Sequence, residues 1–122
     1  MTRYFHITSR DAWLAAQHAG EYRAPSLGEV GFIHLSTRAQ WLDTLLRFYR
    51  GVPDLVLLEL DAERLTAPVR FEPADGQAFP HLFGPLALAA VIAAHPLPVV
   101  VERPDHDAPW LLELLRDDVR TG

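Results

Sequence analysis

The chain of 122 residues predicts an α+β domain of five or six short strands and three helices. Three observations carry that expectation. Short apolar or alternating runs stand beside stretches of helical spacing, and ten prolines and seven glycines punctuate them. A content of 49% hydrophobic and 22% charged residues suits a chain burying about two thirds of its unfolded surface in one core. One domain, 1–122, is expected, because this length is close to the modal size of a single domain.

Tyr4 to Thr8 alternates aromatic and β-branched residues as a strand does. Ser9 follows as the N-cap of a helix from about Arg10 to Ala19, with Asp11 in its first turn and Gly20 as its stop. Glu21 to Glu29, with Pro25, Ser26 and Gly28, reads as a surface loop. Val30 to Leu35 is a short strand. Thr37 caps a helix from Arg38 to Arg50 that places Trp41, Leu45, Phe48 and Tyr49 at helical spacing, and Gly51 ends it. Leu55 to Leu60 is an almost unbroken apolar run, the mark of a central strand buried on both faces. Pro68 to Glu72 alternates like an outer strand, and Ala74-Asp75-Gly76 is a turn. Phe79 to Pro85 is too rich in proline for regular structure. Ala87 to His95 fits strand or helix equally, Val99 to Glu102 fits a strand, and Pro109 to Arg120 is a short amphipathic helix capped by Asp107.

Acidic residues outnumber basic ones, 16 to 11, for a net charge of −5, so no general basic field draws nucleic acid or anionic lipid. Every basic residue is arginine; without lysine, Schiff-base chemistry and a phosphate-loop lysine are excluded. The absence of cysteine removes thiol nucleophiles, iron–sulfur sites and disulfides. The start does not resemble a secretory signal, and the longest apolar run, Leu86 to Ala94, is about half a membrane span. A cytoplasmic protein without membrane contact is the expectation.

The two strand–helix units echo one another. His6-Ile7-Thr8-Ser9-Arg10 and Trp13-Leu14 recur as His34-Leu35-Ser36-Thr37-Arg38 and Trp41-Leu42, at an offset of 28 residues. In each, the histidine is expected at a strand end, the hydroxyls at the cap and the arginine in the first helical turn. Exposed amides, helix dipole and guanidinium would converge where a phosphate binds, and the histidine offers a ring to a ribose hydroxyl. Plainer readings stand beside this one: Trp13 and Trp41 as core packing, Ser9 and Thr37 as simple caps, Arg10 and Arg38 as solvated charges. The proline-edged segment Phe79-Pro80-His81-Leu82-Phe83-Gly84-Pro85 reads as a pocket wall or as a structural corner. His6, His34 and His81 together could form a metal site, but no ligand spacing supports it, and no metal is expected. His18, His95 and His106 receive no role, and Glu72 and Glu102 read as isolated carboxylates. No Gly-x-Ser-x-Gly elbow occurs.

The blocks Gly31-Phe32-Ile33-His34-Leu35-Ser36 and Phe79-Pro80-His81-Leu82-Phe83-Gly84-Pro85-Leu86, with His6-Ile7-Thr8, Gly20-Glu21-Tyr22 and Asp54 to Leu58, resemble the small bacterial domain-of-unknown-function family 952. That family in turn resembles a minimal ADP-ribosyltransferase, in the branch of the tRNA 2′-phosphotransferases. The resemblance implies a mixed, mostly antiparallel split sheet, the ADP-ribosylation-like fold. It also implies that His6 holds an NAD ribose and that His34 stands where relatives stack a tyrosine or place a histidine. The chain departs from that pattern in two places: no catalytic glutamate stands between His81 and His95, and Ile7 replaces a common glycine.

The expected activity is transfer or hydrolysis on NAD, ADP-ribose or a related nucleotide, with NAD as substrate. His34 and His81 are the expected catalytic residues. His6, Thr8, Ser9, Arg10, Ser36, Arg38 and Phe83 are the expected ligand contacts. The alternative is a module that binds a nucleotide without turning it over.

Overall fold

The computed structural model describes residues 1–115. The first unit forms as the sequence predicts. β1 (Arg3–Ser9) runs straight into α1 (Arg10–Ala19), where the Ser9 hydroxyl accepts from the Ala12 amide at 3.0 Å, and Gly20 at φ 91° ends the helix.

The expected loop of Glu21 to Glu29 is instead β2 (Glu21–Tyr22) followed by α2 (Pro25–Val30). Pro25 opens that helix, where its missing N–H would have no partner anyway, and Gly31 closes it at φ 88°. β3 is only Ile33–His34. α3 (Trp41–Phe48) starts later than expected, because Thr37 to Gln40 forms a turn first. Thr37 does not cap with its hydroxyl; its amide donates to Gln40 Oε1 at 3.0 Å, one half of a capping box.

β4 (Leu55–Asp61) is the central strand, buried at all seven positions. β5 (Val69–Ala74) and β6 (Gln77–Leu82) form a hairpin closed by Asp75 at φ 53° and Gly76 at φ 80°. Phe79 to Leu82 is thus regular strand despite Pro80. Counting outward from the Ala74–Gln77 closing pair, Phe71–Pro80 falls on a pair that exchanges no amide bonds, so β5 needs no N–H there. On its other side Pro80 uses only its carbonyl, which accepts from the Leu35 amide at 3.0 Å. β7 (Leu86–Ala87), a single 3₁₀ turn and β8 (Val91–Leu97) resolve the ambiguous run in favour of strand. Val99 to Glu102 forms no strand. α4 spans Pro109–Leu115, and the rest of the helix expected to Arg120 lies outside the described residues.

Among the described residues the strands make three sheets, β1-β4-β8, β2-β7 and β3-β6-β5, and every pairing is antiparallel. A single bridge joins the first to the third, in which Phe5 and Ser36 exchange amide–carbonyl bonds of 2.8 Å. Odd residues of β4 and β1, among them Leu55, Leu57, Phe5 and Ile7, pack under α3 and α4 with Trp41, Leu45 and Leu111. Even residues Val56, Leu58 and Leu60 pack on the other face with Tyr22, Ile33, Leu82 and Leu86. Two cores on one strand explain why its sequence shows no alternation. Among the described residues no helix is long and apolar enough to cross a membrane.

Gly84 marks a close approach. A Cβ there would lie 2.6 Å from the Cβ of Ala67, a methyl with no rotamer to move away into. Gly84→Ala is therefore expected to destabilise by about 1–3 kcal/mol in urea denaturation, and Ala67→Gly is expected to restore much of the loss.

Candidate functional site

The Phe5–Ser36 bridge sets β1 beside β3, and between these strands, α3 and the β5–β6 hairpin opens a cleft of about 640 Å³. That volume falls within the range of small-molecule sites. His6, Thr8, Ser9, His34, Ser36 and His81 all line it. Arg10, Arg38 and Phe83 do not: Arg10 is exposed at the start of α1, the Arg38 guanidinium lies 5.2 Å from the Phe5 ring centre, and Phe83 packs against Phe32. The arginine that does reach the cleft is Arg47 of α3, paired at 3.0 Å with Asp75 at the hairpin tip.

His6 is not at a strand end but in the middle of β1, only 8% exposed. Its Nδ1 lies 2.6 Å from the His34 carbonyl oxygen, which can only accept, so Nδ1 carries the proton. Its Nε2, 2.8 Å from Tyr22 Oη, must then accept the tyrosine proton, and Thr8 Oγ1 lies 3.0 Å from the same oxygen. Burial drives the His6 pKa down to about 4, so the ring stays neutral. Burial likewise raises the Tyr22 pKa, which keeps its hydroxyl protonated. Both ring nitrogens of His6 are engaged inside the protein, and the residue ties β1 to β3 as a positioning group.

His34 and His81 face one another across β3 and β6 as register partners, with ring centres 5.4 Å apart in an edge contact. His34 is exposed to the cleft, and burial and then the neighbouring His81 lower its pKa, which favours the neutral ring. His81 is 6% exposed and lies flat on Phe32, 4.0 Å between centres and 11° between planes. Its Nδ1 is 2.8 Å from Glu72 Oε1. Glu72 was invisible as a partner because the prolines concealed β6. Yet the Asp75-Gly76 turn, counted outward, puts Glu72 diagonal to His81 on one sheet face.

Among the described residues no group of three or more His, Asp or Glu side chains is arranged to hold a metal ion. The three-histidine arrangement is not formed, since His6 has no ring nitrogen to offer.

Fold and site together define a small α+β protein with a histidine-lined cleft between two antiparallel sheets. Residues 7–94 match the model of DUF952, a family of proteins of unknown function, and the chain belongs to that family. It is similar to protein CC0527 from Caulobacter crescentus. The crystal structure of that protein aligns at a TM-score of 0.72 and 37% identity, over 80% of this chain and 87% of that one. Its solution NMR structure aligns at 0.72 and 35% identity, over 95% and 98%. No curated protein matches the chain.

Proposed function

We propose that the cleft binds a small phosphorylated nucleotide of the NAD or ADP-ribose class, in a fold of the ADP-ribosylation type. The observation that carries this reading is the meeting of His34 and His81 in one cleft with Arg47 at its rim. A neutral imidazole both donates and accepts, which suits a ribose diol, and Thr8, Ser9 and Ser36 line the same cleft. Arg47 takes the phosphate role expected of Arg10 and Arg38, with the ligand's phosphate replacing Asp75 as its partner. His6 contributes by holding Tyr22 and β3 in place.

Calorimetric titration with NAD, ADP-ribose and nicotinamide tests this. ADP-ribose is expected to bind the wild-type chain, and His34→Ala and Arg47→Ala are each expected to weaken it about tenfold or more. Absence of binding at millimolar ligand, or affinity unchanged in both variants, would refute the reading. Binding without any product by mass spectrometry over hours would mark a module that only binds.

A further inference from the structure

We propose that Glu72 and His81 form a general-base pair, in which Glu72 is the positioning residue and His81 Nε2 takes a proton from a water molecule held in the cleft. This rests on the nucleotide reading above and adds to it the base and the acceptor.

The geometry is specific. A carboxylate oxygen can only accept, so a neutral His81 with Nδ1 2.8 Å from Glu72 Oε1 carries its proton on Nδ1 and its lone pair on Nε2. His81 lines the cleft whereas Glu72 does not, so the carboxylate stands behind the ring. Phe32 stacked on the ring face and the His34 edge beside it fix the ring plane. A base held in one tautomer by a second group is the arrangement that acid–base catalysis requires.

Burial selects the acceptor. With His81 only 6% exposed, an acceptor as small as water suits it better than a protein or nucleic-acid side group. The net charge of −5 disfavours a polyanionic acceptor as well. In the step itself, the water O–H bond breaks and its proton passes to Nε2. The oxygen bonds to the ribose carbon that carries nicotinamide, and the carbon–nitrogen bond breaks. The nitrogen keeps the electron pair, so nicotinamide leaves neutral. The Glu72 carboxylate offsets the charge on the imidazolium until it returns its proton to solvent.

The test combines turnover with ¹⁵N NMR of the histidine rings. The wild-type chain is expected to release nicotinamide and ADP-ribose from NAD in equal amounts and to show His81 as the Nδ1–H tautomer. Glu72→Gln is expected to lower kcat 10- to 100-fold with KM changed less than twofold, and Glu72→Asp, which keeps the charge, to recover part of that loss. Circular dichroism confirms that the variants fold. A neutral His81 protonated on Nε2, or an unchanged kcat in Glu72→Gln, overturns the pair. A chain that binds ADP-ribose but never releases nicotinamide overturns the general base and leaves the nucleotide reading standing. A chain that binds no nucleotide overturns both.

Discussion

Replacing Glu59 with alanine is expected to lower the free energy of unfolding by about 3–5 kcal/mol, the range for breaking a buried ion pair from one side. Glu59 is 2% exposed and sits on the central strand among leucines. One of its oxygens accepts from His95 Nε2 at 2.8 Å, and the other pairs with the mostly buried Arg3 guanidinium. The three residues come from β4, β8 and β1, so the carboxylate joins all three strands of its sheet. Removal leaves the desolvated Arg3 without this counter-charge, and that penalty exceeds the loss of the hydrogen bonds themselves. Urea denaturation followed by tryptophan fluorescence measures it. Glu59→Gln, which retains an acceptor oxygen, is expected to lose less than Glu59→Ala. A loss below about 1 kcal/mol in Glu59→Ala would show that the pair only breaks even against its own desolvation.

Acid is expected to weaken the fold well above the range where most carboxylates titrate, and His6 is the reason. Its folded pKa of about 4 lies below the 6.5 of the unfolded chain, so the unfolded state takes up the proton first as pH falls. Stability from this residue is fully present above pH 6.5. It declines through the interval down to about 4 and is constant below that. Over the window the loss comes to about 3 kcal/mol, a large fraction of a small domain's total. The depressed pKa of His34 acts in the same direction. Denaturation at pH 7.5 and at pH 4.5 measures the slope. His6→Gln cannot titrate, so it is expected to be less stable at pH 7.5 but to lose distinctly less between the two pH values. Equal slopes in both proteins would remove His6 as the cause.

Much of the fold was legible because local chemistry decided it. Leu55 to Leu60 could only be an interior strand, and Ser9 and Gly20 bracketed α1 by the physics of helix ends. Proline was where the sequence misled. Pro25 opens a helix, where its missing N–H has no partner, and Pro80 sits inside a strand at a pair that exchanges no amide bonds with β5. The histidines were legible as a group from their repeat, and they do meet. Their roles were not, because a repeat in sequence does not show burial. His6 and His34 share a frame, yet one is sealed in β1 and the other open to the cleft. The two arginines of the repeat failed as cleft residues for a related reason. Helix start and strand end differ between the two units, so equal spacing does not carry Arg10 and Arg38 to equal places. Glu59 and Glu72 escaped notice because a carboxylate's partners lie across strands, at distances in sequence that no local pattern encodes.

The bridge between Phe5 and Ser36 has a mechanical meaning. β1 on one side of the cleft and β3 on the other belong to different sheets, sewn together at one residue pair and reinforced by the His6 bond to the His34 carbonyl. A continuous sheet would spread a ligand's pull over a whole ladder. Here the hydrogen-bonded link is a seam of two backbone bonds and one imidazole, so whatever fills the cleft pulls on a joint far narrower than either ladder.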